Sequence, residues 1–159
     1  AQKAGLTNEQ IKDSLKNVTL TDMRMQVIPA KNGSLFINDA YNAAPTSMTA
    51  AITFIHETTI RPEKWLVLGD MLELGDDEQR YHEELAEYIT PQDFAGVCLY
   101  GPRMKWLYDK LQSLFADTQV VWSENDYEPI RNILKSKTSS NSIILVKGSR
   151  GMALENVID

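Results

Sequence analysis

The sequence predicts an α/β fold: a three-layer, Rossmann-like sandwich with a mostly parallel sheet and an antiparallel hairpin at one edge. Three observations lead there. From Ser34 onward, short strand-like runs alternate with helical segments of about ten to fifteen residues, the spacing of right-handed crossovers between parallel strands. Trp65-Leu66-Val67-Leu68 and Ile143-Ile144-Leu145-Val146 are unbroken apolar runs, as strands covered on both faces require. Arg24–Pro29 and Ser34–Asp39 flank Asn32-Gly33, whose tolerance of positive φ suits a hairpin turn.

The elements follow in order. Thr7-Asn8-Glu9-Gln10 matches a capping box, and Ile11, Leu15 and Val18 then mark one apolar helical face. Such a helix cannot bury its stripe alone. Residues 1–22 are therefore expected to be the tail of a preceding domain, or a linker, and 23–159 the domain itself. The abrupt start suggests a piece of a longer protein. After the hairpin come a helix over Thr46–Thr58 opened by Pro45, a strand Lys64–Leu68, and a helix over about 77–89 carrying Tyr81, Leu85 and Tyr88. Strand Gly96–Tyr100 leads to helix Arg103–Phe115, with Met104, Leu107, Leu111 and Leu114 inward. Strand Gln119–Trp122, helix Tyr127–Lys137, strand Ser142–Val146 and a last helix from about Gly151 complete the chain.

Composition narrows the function. The net charge of −6, with no basic run, disfavours nucleic acid as a partner. No apolar stretch approaches the ~20 residues of a membrane span, and the first residues do not have the charged-then-apolar pattern of a signal peptide, so a cytoplasmic character is expected. The one cysteine, Cys98, lies in an apolar run and reads as buried and inert. With only two histidines, a His-rich metal site is excluded, and no metal-ligating residues are assigned. His82, between charged neighbours, reads as a helix-surface residue. Neither a Gly-x-x-x-x-Gly-Lys-Ser/Thr loop nor Gly-x-Gly-x-x-Gly is present, so any nucleotide site is at most partly encoded here.

Polar residues gather at strand-to-helix junctions. Asp39, Tyr41 and Asn42 follow the run Leu35-Phe36-Ile37. A carboxylate at a strand end can accept both ribose hydroxyls, and an amide can meet a purine edge; equally, either could close an Asx-turn. Arg24 offers a planar fork suited to phosphate, or is a solvated surface residue. Lys147-Gly148-Ser149-Arg150-Gly151 has the cations, hydroxyl and glycines of an anion cradle, or is a Gly-rich turn with incidental charge. Gly69-Asp70-Met71-Leu72-Glu73-Leu74-Gly75 reads as a tight loop with two acids, of the kind that carries function or caps the next helix.

In this order and spacing, Asp39-x-Tyr41-Asn42-Ala43-x-Pro45, Gly69-Asp70-Met71-x-Glu73-Leu74-Gly75 with His82, and Lys147-Gly148-Ser149-Arg150-Gly151-Met152 closely resemble the carboxyl-terminal domain of the Mur ligases. Within that family they are most similar to the branch that adds D-alanyl-D-alanine to UDP-N-acetylmuramoyl-tripeptide. The resemblance implies a three-domain peptidoglycan enzyme that uses ATP and Mg2+ to form an acyl phosphate, which the incoming amine attacks. It implies that the central domain holds the ATP phosphates and most of the Mg2+ site, that no complete catalytic set lies in this chain, and that the chain is inert alone. It also implies that the domain docks on its two partners. Arg24, Asp39, Tyr41 and Asn42 would serve ATP: Arg24 at the phosphates, Asp39 at the ribose, Asn42 beside adenine. Asp70, Met71, Glu73, Lys147, Ser149 and Arg150 would lie on the D-alanyl-D-alanine side.

Two other expectations compete. Folylpolyglutamate synthetases and the lysine- or diaminopimelate-adding Mur ligases share the fold but carry Ala-His-Asn-Pro-like or Asp-Asn-Pro-Arg motifs that this chain lacks. A free-standing α/β binding module would have no use for an amphipathic segment at its start.

Overall fold

The computed structural model describes residues 24–158. The amphipathic segment expected within residues 1–22 lies outside them. The described chain forms one six-stranded sheet with helices on both faces. Strand β1 (Gln26–Pro29) pairs antiparallel with β2 (Leu35–Asn38), and the parallel strands are β2, β3 (Glu63–Gly69), β4 (Gly96–Tyr100), β5 (Val120–Ser123) and β6 (Ser142–Lys147). The spatial order is β1-β2-β6-β3-β4-β5. The mostly parallel sheet with an antiparallel edge is thus as read from the sequence.

Helices α1 (Pro45–Glu57), α2 (Glu78–Glu84) and α3 (Met104–Leu111) cover one face, and α4 (Glu128–Lys137) covers the other. On the first, Met48, Ile52, Ile55, Leu85, Met104 and Leu107 meet Ile37, Leu66, Leu68, Leu99 and Leu145. On the second, Ile130 and Leu134 of α4, with Leu154 and Val157, meet Phe36, Val67, Cys98, Ile144 and Val146. Alternate residues of each strand therefore serve opposite cores, which is why the strand sequences read as continuous apolar runs. Cys98 is buried, and burial pushes its thiol up to about 12, so it stays protonated packing material.

Local chemistry explains several departures from expectation. The hairpin joins its strands by a loop from Ala30 to Ser34, in which only Gly33, and not Asn32, is left-handed, at φ 86°. The Asn32 carboxamide instead accepts the Ser34 N–H at 3.0 Å. The helix expected over 77–89 is α only from Glu78 to Glu84, bracketed by 3₁₀ turns at Gly75–Asp77 and Leu85–Tyr88. The tightened second turn drops Leu85 and Ile89 into the core and leaves Tyr88 exposed, and Pro91 forbids continuation. Helix α3 stops at Leu111. Phe115, whose N–H reaches the Leu111 carbonyl, takes the inward position expected for Leu114, which is 55% exposed. The last helix is two 3₁₀ turns, Arg150–Met152 and Leu154–Val157, divided by left-handed Ala153 at φ 45°. No helix among the described residues is long and apolar enough to cross a membrane.

Candidate functional site

Topology points to one rim. After β2 the chain leaves for α1 on one face, and after β6 it leaves for the Leu154–Val157 turn on the other. Because β2 and β6 are neighbours, their connections diverge and open a crevice at the carboxyl ends of the strands. Strand β3, on the other side of β6, also departs toward the first face, through α2. The register Asn38↔Val146 and Leu68↔Lys147 makes the three strands end almost level. Asp39, Lys147 and Asp70 thus come out side by side.

Lys147 and Asp39 form the centre of the rim. Lys147 Nζ lies 2.7 Å from Asp39 Oδ2 and donates to the Asn42 carbonyl at 3.0 Å, with side-chain exposures of 4% for Lys147 and 14% for Asp39. The other carboxylate oxygen accepts the Met25 N–H at 3.2 Å. A carboxylate has about four acceptor positions, so roughly two stay open toward solvent. Met25 makes this bond from a left-handed conformation, φ 48°, which also turns Arg24 outward. The Arg24 guanidinium then stacks over the exposed Tyr41 ring, 4.3 Å from its centroid. Asn42 is exposed; its side-chain oxygen accepts the Ala43 N–H at 2.9 Å, leaving its amide N–H groups facing outward without a partner among the described residues.

The β3 and β6 loops are laced together beside this centre. Ser149 donates its N–H to the Asp70 carbonyl at 3.0 Å, and its hydroxyl oxygen accepts the Leu72 N–H at 2.9 Å. Gly148 permits the approach, since a Cβ there would stand 3.0 Å from the Gly69 Cα. Arg150 and Glu73 remain exposed, with Arg150 held by both carboxylate oxygens of Glu155 at 2.9 and 2.7 Å. Glu73 is left-handed at φ 63°. Met25, Glu73 and Ala153, the non-glycine residues of positive φ among those described, therefore all sit on loops of this rim. Such conformations cost free energy and gather where geometry serves a ligand.

Two residues expected on the substrate side face inward. Met71 has no exposure and packs in the first core. Asp70 is equally buried: Oδ1 accepts the Met104 N–H at 2.9 Å and Oδ2 the Arg103 N–H at 3.2 Å, so the carboxylate caps α3. Burial lifts its pKa above the ordinary 3.8, against the pull of those two N–H groups. Gly101, at φ 110°, is obligatory beside it, because a Cβ there would collide with the Asp70 carboxylate. His82, expected on the surface, is fully buried. Its Nε2 accepts the Met71 N–H at 3.0 Å and its Nδ1–H donates to the Glu78 carbonyl at 2.6 Å. Burial holds its pKa below 6.5. Reading along the chain missed these inward roles because the apolar cover of His82 comes from distant elements, including the edge of Trp106 at 5.8 Å.

The rim itself is open. Cavities of about 230 and 300 Å3 lie at the opposite, amino-terminal ends of the strands, around Asn32 and Thr138 and around Trp65 and Gln119. Three cations (Arg24, Lys147 and Arg150), the exposed Asn42 amide and the partly free Asp39 carboxylate on an open surface can bind a ligand from one side only.

A family model described as "Mur ligase, glutamate ligase domain" matches residues 23–150. The chain is 37% identical over 161 residues to the UDP-N-acetylmuramoyl-tripeptide–D-alanyl-D-alanine ligase of Bacillus subtilis, covering 97% of this chain and 34% of that protein. It is 37% identical over 145 residues to the ligase of the same name from Rickettsia prowazekii, covering 91% of this chain and 31% of that one. Among solved structures, MurF ligase from Thermotoga maritima in complex with ADP superposes with a TM-score of 0.72 at 26% identity, over 91% of this chain and 31% of that one. The chain spans about a third of the length of these relatives. With that match over most of its length, the chain belongs to the Mur ligase family and carries its glutamate ligase domain.

Proposed function

We propose that this chain is the carboxyl-terminal domain of an ATP-dependent amide ligase that joins D-alanyl-D-alanine to UDP-N-acetylmuramoyl-tripeptide in peptidoglycan synthesis. The observation that carries the reading is the Asp39–Lys147 pair at the diverging ends of β2 and β6, with Arg24 and Tyr41 beside it. ATP with Mg2+, held mainly by the rest of the protein, supplies phosphoryl activation of the tripeptide carboxylate. The residues of this chain do the positioning. Asp39 presents its open acceptor positions to the ribose hydroxyls while Lys147 and the Met25 N–H fix its orientation. Asn42 lies toward the base. Arg24, projected by left-handed Met25, reaches the phosphates when the domains close. On the adjoining side, Arg150, Ser149 and Lys147 hold the carboxylate of the incoming dipeptide, and the exposed carboxylate of Glu73 faces its ammonium group.

The fit rests on donor chemistry: a carboxylate held at two points but not saturated, and a guanidinium free to leave a solvent-exposed ring. The open surface agrees with half a cleft, and closure would exclude water from an activated acyl group. The test is phosphate release by the full-length protein carrying this chain. The reading expects release with tripeptide nucleotide and D-alanyl-D-alanine, little with single amino acids, and a fall of at least tenfold in kcat for Arg24→Ala with unchanged melting. Equal release with single amino acids would overturn it.

A further inference from the structure

The Asp70–Met71 peptide is bonded on both sides. Its N–H, that of Met71, donates to His82 Nε2 at 3.0 Å, and its carbonyl, that of Asp70, accepts the Ser149 N–H at 3.0 Å. A peptide unit is rigid and planar, so its two ends cannot reorient separately. The next N–H, that of Leu72, reaches Ser149 Oγ at 2.9 Å. Ser149 is directly followed by Arg150 and lies two residues after Lys147, both on the open rim. The imidazole is itself fixed from behind by the Glu78 carbonyl, which sets the Nδ1–H tautomer and leaves Nε2 as an acceptor. We propose that His82 is a positioning residue for the ligand rim, acting through the Asp70–Met71 peptide on the Ser149 turn. This rests on the reading of the rim given above.

Protonation of Nε2 would set an imidazolium N–H against the Met71 N–H and remove the acceptor. The charged groups around the ring are Asp70 from the β3 loop, Glu78 on its own helix and Arg103 at the start of α3, with Trp106 edge-on. The Asp70 and Glu78 charges favour the imidazolium, whereas Arg103 and burial oppose it. The neutral ring is thus held by location, not by lack of nearby acids.

The test uses the full-length protein. Hydrogen exchange at Ser149, normalised to its intrinsic rate, is followed from pH 8 downward while the His82 ring protons are titrated by NMR. Losing one hydrogen bond of ordinary strength predicts a roughly fivefold loss of Ser149 protection with the His82 midpoint. His82→Gln, which keeps an acceptor but cannot titrate, should show no such loss. His82→Leu should show it already at pH 8. The KM for D-alanyl-D-alanine should rise over the same interval in the native protein and stay level in His82→Gln. Ser149 protection unchanged through the His82 titration, or lost equally in native and His82→Gln, would overturn the proposal. Absence of dipeptide-dependent phosphate release at every pH would instead overturn the ligase reading, since the exchange measurement does not depend on turnover.

Discussion

Lys147 is nearly enclosed, and its charge is tolerable only because Asp39 and the Asn42 carbonyl meet it. Pairing two charges in such a place adds little net stability, but removing one partner strands the other. Lys147→Ala should therefore cost about 3 kcal/mol in chemical denaturation, far more than an exposed lysine would. Arg150→Ala on the same turn breaks only an exposed pair with Glu155 and should leave the denaturation midpoint nearly unchanged. A second residue is fixed for steric reasons. Gly101→Ala forces a side chain into left-handed backbone against the Asp70 carboxylate. It should destabilise by about 2–4 kcal/mol, because strain and a displaced buried carboxylate act together. A melting temperature within a degree of native would contradict that packing.

At the scale of elements, the β3 loop joins α2, α3 and the β6 loop: His82 comes from α2, the Asp70 carboxylate caps α3, and Ser149 leans on the loop from β6. Acid should loosen this junction. With the His82 pKa held below 6.5, the unfolded chain binds the proton first, so His82's contribution is complete above pH 6.5 and is lost as pH falls below it. The slope can reach about 1.4 kcal/mol per pH unit for one proton, and His82→Gln should remove it. Asp70 acts with the opposite sign. Its raised pKa means the native state keeps the proton longer, so its cost grows as pH rises from 3.8 through the native value. Denaturation midpoints between pH 7.5 and 5 separate the two, because only the His82 loss begins near 6.5.

These same elements show what a linear reading can reach. Strands and the hairpin were legible because Leu66, Val67, Ile144 and Leu145 need cover on both faces and Gly33 needs positive φ. His82 was not, since its neighbours Glu83 and Glu84 describe the helix exterior and its burial comes from the β3 loop and Trp106. Leu114 was misplaced because the pattern of Met104, Leu107 and Leu111 continues past the point where α3 unwinds. The insertion of β6 between β2 and β3 leaves no local trace, yet it brings Lys147 to Asp39. Candidate residues could be named from their junctions; that Asp70 and Met71 turn inward depends on packing at long range.

For the whole molecule, the proposed ligand rim lies where β2, β6 and β3 end, and two cavities among the described residues lie at the far end of the sheet. On the proposed reading, an open rim carrying a half-coordinated carboxylate, an arginine stacked on tyrosine and three left-handed non-glycine residues is completed from outside. The most direct measurement of that claim is the preference of the full-length protein for ATP over 2′-deoxy-ATP, in native and Asp39→Asn forms, each assayed below its own melting transition because Asp39→Asn leaves the Lys147 charge without its carboxylate. If Asp39 receives the ribose hydroxyls, the native protein should show a KM about tenfold higher for the deoxy nucleotide, as a charge-assisted hydrogen bond requires, and Asp39→Asn should erase most of the difference. An equal preference in both forms would show that the nucleotide does not use this rim.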